Sequence, residues 1–556
     1  MDIRSLDDTF AVSPQLAPAD LTDVARAGFA SVICHRPDGE EDGQPSFEAV
    51  ARAAAEAGVE IRHQPIGPDG PDDEAVREFE ALRRTLPAPV LAYCRSGRRS
   101  ASLWALSSAG EDGGRAVLAR AREAGHDLAS LEPRLARGRA GEGAARATRE
   151  HDIVVVGAGA AGIAVAASLL SRDDGLDIAI VEPADTHYYQ PGWTMVGAGV
   201  FDAAQTARPM DSLIPAGATR IRGAVAAFEP ERDRVVLEDG GVVAYRRLIV
   251  CPGLELDWGR VEGLSDALGR NGVTSNYRYD LAPYTWEVVQ GLKGGQAVFT
   301  QPPMPIKCAG APQKAMYLSA DHWRREGRLA DIDVAFHNAG PVLFGVAAYV
   351  PALMEYVERY GIALNFGQNL VAVDGDARVA RFESKGEDGA TRTHETAFDM
   401  LHVCPPQRAP RFIRESALAD AAGWVEVDQA TLRHARHANV WSLGDVCSAP
   451  NAKTAAAARK QAPIVAVNVL ADIAGKASAA AYDGYGSCPL TVERGRIVLA
   501  EFGYGGKLLP SFPSWVIDGQ KPSRLAWELK AKALPSIYRH GMLKGREWMA
   551  SPEAGA

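Results

Sequence analysis

Three short stretches hold residues that can do chemistry, each where the chain turns from a strand-like run into a helix-like one. The first is AYCRSGRRS, residues 92–100. An apolar run ends at Cys94, Gly97 permits a tight turn, and Arg95, Arg98 and Arg99 crowd the start of the next helix. Free backbone N–H groups and the helix dipole stabilise a thiolate there, and guanidinium groups add to this. The spacing predicts a Cys94 nucleophile of lowered pKa in an anion-binding loop. Such loops serve phosphate ester cleavage or sulfur transfer. A merely structural cysteine would not need three arginines and a glycine around it.

The second stretch is DIVVVGAGAAGIAVAASLL, residues 152–170. Gly157 permits a tight turn, and Gly159 lets the backbone approach a pyrophosphate. Ala160 opens the helix on which the pyrophosphate sits, and Gly162 allows close helix–strand packing. GxGxxG alone is a weak signal, but DIAIVEP supplies a second strand ending at Glu182, placed to bind ribose hydroxyls. Far downstream, WSLGDVCSAPNAKTAAAARKQA carries Gly444 and Asp445 and then a helix starting near Lys453 and Thr454. A late Gly-Asp of this kind binds the ribityl and phosphate side of a flavin in two-dinucleotide flavoproteins. The helix after it points its positive end at the ring that becomes negative on reduction. FAD is the predicted cofactor, and no metal site is expected. In the third stretch, QAVFTQPPMPIKCAGAPQK, Pro302, Pro303 and Pro305 stand where a second phosphate-cradling glycine turn would lie, and Cys308 follows. DIDVAFHNAGPVLFG lacks the motif as well. The absence argues against a nicotinamide partner and for another electron carrier.

The elements that must position these residues divide the chain. Its 556 residues exceed one core. Residues 1–133 alternate strand-like and amphipathic runs; 134–151, rich in Ala, Arg and Gly, reads as a linker. Residues 152–490 form the oxidoreductase domains, and 491–556 the C-terminal region. A net charge of -10 argues against nucleic-acid binding. The acidic MDIRSLDDTF lacks a signal peptide's apolar core, and no apolar run reaches about 18 residues. Seven scattered cysteines then point to a reducing compartment. In the tail, Trp515, Leu525, Trp527, Leu529, Leu534, Ile537, Tyr538 and Met542 alternate with Lys521, Arg524, Lys530, Lys532, Arg539 and Lys544. That mixture suits a helix lying in a membrane interface. The expected location is cytoplasmic, peripheral on the inner face of the cell membrane.

Two resemblances sharpen this reading. Protein tyrosine phosphatases place an arginine six residues after the cysteine, where this chain has Ser100. The tighter CRSGRR loop resembles that of rhodanese sulfurtransferases, and the segment including HRPDGEEDGQPSF is similar to small phosphatase-fold domains fused to sulfide-metabolising enzymes. From about 150 to 545, PIKCAGAPQKAMYLSADHW, ADAAGWVEVDQATLRH and GDVCSAPNAKTAAA resemble the sulfide:quinone oxidoreductases, in the branch that includes mitochondrial-type enzymes. The resemblance implies that Cys308 takes the sulfide sulfur as a persulfide and that two electrons pass through FAD to a membrane quinone. It also implies a second cysteine near the Gly-Asp turn. Relatives carry it directly after the Gly-Asp; here that position is Val446, and the cysteine comes one later, at Cys447. Cys404 and Cys251 are the other candidates, and Cys488 reads as structural.

The fold class is therefore α/β. A phosphatase-like domain precedes tandem Rossmann-type flavoprotein domains and a membrane-associating helical tail. The expected partners are sulfide, a membrane quinone, and a low-molecular-weight thiol or protein that accepts sulfur through Cys94. The oligomeric state is left open between monomer and homo-oligomer. The rival readings are an NADH:quinone-type flavoprotein, a phosphatase-like regulatory front domain, and a flavin-bound sulfide sensor.

Overall fold

The computed structural model describes residues 2–552 apart from 42, 68–69, 113, 133–134, 136–149 and 387. It divides into two compact units, Met1–Thr148 with Val236–Val242, and Arg149–Val235 with Val243–Ala556. The expected linker, 134–151, lies outside the described residues except for Leu135, Glu150 and His151.

In the first unit a five-stranded sheet runs Arg4–Ser5, Phe10–Ser13, Val90–Tyr93, Ser31–Cys34, Glu60–His63. All neighbours are parallel except the first pair. Parallel strands need both faces covered, which accounts for the unbroken apolar runs at 32–34 and 90–93. Phe10, Phe79 and Trp104 fill one face, and Leu21, Val24 and Val50 the other. Cys94 follows the middle strand, at the carboxyl edge where open α/β sheets bind ligands.

The second unit holds two parallel sheets. In the first, Ala218–Ile221, Ile178–Val181, Glu150–Val156, Val242–Val250 and Val440–Ser442 lie side by side, all parallel. In the second the order is Val273–Thr274, Met400–His402, Gly295–Gln301, Ile332–Asn338, Ala363–Phe366. A hairpin, Gly486–Glu493 with Arg496–Phe502, follows, and then short helical turns from Arg524 to Lys544. No helix among the described residues is long and apolar enough to cross a membrane.

The glycine loop shows why sequence dictates this geometry. Gly157 has φ +98°, and a Cβ there would lie 2.6 Å from the Cys251 carbonyl oxygen. A Cβ on Gly162 would run into the Gly157 carbonyl oxygen. Helix Ala160–Leu170 can thus press onto the sheet only with glycine at both places. Gly159 differs: a Cβ there meets nothing within 4 Å. Gly162→Ala should therefore destabilise the protein by about 2 kcal/mol or more through overpacking. Gly159→Ala should leave its melting temperature nearly unchanged and weaken flavin retention. Thermal unfolding together with flavin content after gel filtration separates the two.

Candidate sulfur and flavin site

Cys308 sits in a loop fixed from several sides. Its φ is +49°, a left-handed conformation costing a non-glycine residue about 1–2 kcal/mol. Its N–H donates to the Lys453 carbonyl at 2.8 Å, and its own carbonyl accepts from Ala311 N at 2.7 Å. The Tyr277 hydroxyl donates to the Lys307 and Cys308 carbonyls at 3.3 and 3.4 Å. Helix Ala311–Arg325 starts three residues after Cys308, directing its positive end toward this loop. The prolines at 302, 303 and 305 offer no N–H to a phosphate; the strand after which a nicotinamide turn would come leads instead to this cysteine.

The second sulfur at Cys308 is Cys488. Cys308 packs against the cluster that holds Cys488, and the Cys488 thiol holds the Cys308 pKa well below the ordinary thiol value. Lys314, on the first turns of the helix and 3% exposed, places Nζ 3.0 Å from Cys308 Sγ and reinforces this against burial. The same contact with Cys308, together with burial, drives Cys488 well upward. Gly310 makes the approach possible. Any Cβ there would collide with Leu490 Cδ2, and the Cys488 Cβ is 3.7 Å away. A second lysine, Lys530, arrives from the tail and is 6% exposed. Burial, then the charge of Lys314, lowers its pKa to about 7, with Cys308 and Cys488 acting the other way.

The thiols singled out in the sequence lie as follows. Cys488, taken as structural, is the neighbour of Cys308. Cys447 turns its Sγ onto the Gly444 carbonyl at 3.3 Å within the core that supports the glycine helix, and burial raises its pKa. The one-residue shift after the Gly-Asp thus aims this sulfur into packing. Cys251 lies under the glycine loop, 3.7 Å from the Gly157 carbonyl oxygen, and burial raises its pKa. Cys404 is nearer, packing in one apolar cluster with Tyr277 and Cys308, but burial pushes it up to about 12. Lys530 is likewise no membrane-facing base, and Tyr538 and Met542 are buried in the core.

The loops expected to hold a flavin abut the sulfur loop. Strand Val440–Ser442 leads into the Gly444–Val446 turn, whose glycine has φ +79° and donates its N–H to Gln461 Oε1 at 2.8 Å. Lys453 Nζ donates to the Asp445 and Cys447 carbonyls at 2.7 and 2.9 Å and lies 4.1 Å over the Trp424 ring. Burial raises Asp445, opposed by Lys453 and Lys307. Thr454 caps helix Ala455–Ile473, accepting from Ala457 N. Glu182 accepts from Ala158 N at 2.7 Å and Ala184 N at 2.8 Å, so its carboxylate also fixes the glycine loop. The residues present fit a flavin cofactor. Space is open over Gly159, and the helix behind it carries no side-chain cap, leaving its N–H groups for a phosphate.

In the front unit Cys94 is 1% exposed, and helix Arg98–Asp112 begins four residues later. Arg99 interacts electrostatically with Cys94, and Arg95 and Arg98 are exposed. Ser100, where a phosphatase arginine would stand, is buried and pairs with His35 Nδ1 at 2.9 Å.

Residues 2–111 match the family model "Beta-lactamase hydrolase-like protein, phosphatase-like domain". The chain is 42% identical over 397 residues to "Sulfide:quinone oxidoreductase, mitochondrial" of Dictyostelium discoideum, covering 71% of this chain and 86% of the relative. With the Mus musculus protein of the same name it shares 37% over 399 residues, 72% of this chain and 88% of that one. In fold it resembles the sulfide:quinone oxidoreductase of Aquifex aeolicus, with a TM-score of 0.59 at 18% identity over 72% of this chain and 92% of that one.

A lowered pKa keeps Cys308 ionised at pH values where an ordinary thiol is already protonated. In the reduced protein, iodoacetamide should label Cys308 at pH 6 without the slowing expected of a free cysteine. Lys314→Met should move the labelling profile to higher pH, and peptide mapping across a pH series reads both.

Proposed function

The chain belongs to the sulfide:quinone oxidoreductase family, and on that premise we propose that it oxidises sulfide at the Cys308–Cys488 pair, with FAD as its flavin, and passes two electrons to a membrane quinone. The observation that carries this reading is the dithiol beside Lys314, with its loop hydrogen-bonded to the turn that opens the flavin-side helix. In its oxidised form the pair is a disulfide. Hydrosulfide attacks one sulfur, the S–S bond breaks, and the other sulfur leaves as a thiolate. The better leaving group is the sulfur of lower pKa. Lys314 at 3.0 Å makes that Cys308, so the persulfide forms on Cys488. This reverses the assignment that the family resemblance implied.

Bound FAD would supply a two-electron acceptor that quinone then empties. Lys314 holds the departing thiolate. Lys530, lowered to about 7, can give or take a proton near neutral pH as thiol and thiolate interchange. A thiol acceptor RSH removes the sulfane sulfur, so that HS⁻, RSH, quinone and H⁺ become RSSH and quinol.

Two further elements complete the reading. Trp515, 85% exposed, with Leu525, Trp548 and Met549, also exposed, forms an apolar set among Lys521, Arg524, Lys532 and Lys544. It suits an interfacial anchor on the inner face of the cell membrane, from which a lipid-dissolved quinone reaches the flavin. The front unit, through Cys94, carries persulfide sulfur to a low-molecular-weight thiol or a protein.

Sulfide-dependent reduction of a short-chain quinone by single-cysteine variants tests the pair. Cys308→Ser and Cys488→Ser should each lower kcat by about 10³-fold or more, while Cys447→Ser stays within about threefold. Full activity of Cys488→Ser with loss in Cys447→Ser would restore the other assignment.

A further inference from the structure

The front unit's cysteine loop is faced by an acidic turn. Glu40 Oε2 accepts from Arg99 Nη2 at 2.7 Å and from Arg36 Nε at 2.8 Å. Glu41 accepts from Arg36 Nη2 at 2.8 Å and lies 3.5 Å from Arg95 Nη2. Arg99 also spends Nη1 on the Ile66 carbonyl at 2.6 Å, and its charge acts on Cys94. Arg36 is nearly buried, with its remaining amino group on Gln15. Two carboxylates therefore occupy the guanidinium edges that would grip an oxyanion in this loop.

Charge counting sets the consequence. Arg36, Arg95 and Arg99 bring three positive charges, and Glu40 and Glu41 bring two negative ones. The Cys94 thiolate, once ionised to act as a nucleophile, brings the third. These six groups together are then neutral, with the exposed Arg98 outside this count. Beyond Arg98, a dianion such as a phosphate monoester or thiosulfate must displace a carboxylate from a paired arginine. The Glu40 carboxylate is held near a pKa of about 2 by its hydrogen bond to Arg99, so it stays charged at any working pH. A hydropersulfide makes no such demand.

Resting on the reading that Cys94 carries sulfur, we propose that Glu40 and Glu41 are specificity-determining residues, an internal anion that restricts the Cys94 loop to hydropersulfide donors and excludes oxyanionic ones. In the step that results, the Cys94 thiolate attacks the terminal sulfur of RS–SH. A Cys94–sulfur bond forms, the RS–S bond breaks, and RS⁻ leaves, with no net oxidation. Glu40 and Glu41 take no part in this step; they act on the choice of donor, through the arginines they occupy.

The test uses the full chain and two sulfur donors, glutathione hydropersulfide and thiosulfate, with Cys94 persulfide read by mass after trapping. Wild type should transfer from the hydropersulfide and react poorly with thiosulfate. Glu40→Gln should raise kcat/KM for thiosulfate by about tenfold or more, largely through KM, and leave the hydropersulfide reaction nearly unchanged. Glu41→Gln, at a more exposed position, should do the same to a smaller degree. A fold defect would lower both donors together, so equal losses, or thiosulfate rates unchanged in both variants, overturn the acidic-turn proposal. If Cys94→Ser still acquires and passes sulfur as wild type does, the sulfur-carrying reading fails instead. Tungstate binding to the two glutamine variants would then still report whether the carboxylates exclude dianions.

Discussion

One backbone hydrogen bond, from Cys308 N–H to the Lys453 carbonyl, joins the cysteine loop to the turn before helix Ala455–Ile473. It forms the bridge pairing Lys307 with Lys453, so the sulfur loop and the turn before the flavin-side helix run alongside each other. Everything around it serves that contact. The left-handed Cys308, the Tyr277 hydroxyl on two loop carbonyls and the Ala311 N–H fix the loop from one side. Lys453, reaching back to the Asp445 and Cys447 carbonyls, fixes the turn from the other. A shift of an ångström in either segment would misalign donor and acceptor, and such misplacement is costly for catalysis.

The electrostatics of the pair follow from burial. Lysines are rarely buried without a partner, because desolvation penalises the ammonium. Lys314 remains charged because the Cys308 sulfur, 3.0 Å away, compensates it, which raises its pKa despite burial. Lys530 lacks so close a counterion and falls to about 7. The two lysines thus act differently. Lys314 is a fixed charge that depresses one thiol and separates the roles of two chemically identical residues. Lys530 belongs to the tail segment that also presents Trp515 and Leu525. The region suited to a membrane surface therefore also shapes the charge around the dithiol.

The legible part of the site was the part made by local sequence. Gly157, Gly162 and the cap at Thr454 act within a few residues of themselves, and each sits at the turn or helix start its neighbours predict. The proline-rich route into Cys308 was legible for the same reason, since an imide nitrogen cannot cradle a phosphate. Cys488 and Lys530 were not legible. They reach Cys308 from about 180 and 220 residues away, through a hairpin and a tail whose packing depends on tertiary contacts such as Gly310 against Leu490. No local pattern marks YGSCPL as the neighbour of Cys308, and Lys530 lies among bases that suit a membrane surface equally well. In the front unit, HRPDGEEDGQ carries adjacent glutamates, but only the fold shows their carboxylates on the arginines of the cysteine loop.

The most direct test of the Cys308–Cys488 pair is peptide mapping of the oxidised protein, digested without reductant and analysed by mass spectrometry. The account predicts a cross-linked peptide joining Cys308 to Cys488, directly or through one additional sulfur, which disappears on reduction. A Cys308 peptide joined to Cys447 or Cys404, or an oxidised and active protein in which Cys308 and Cys488 are both free thiols, would contradict it.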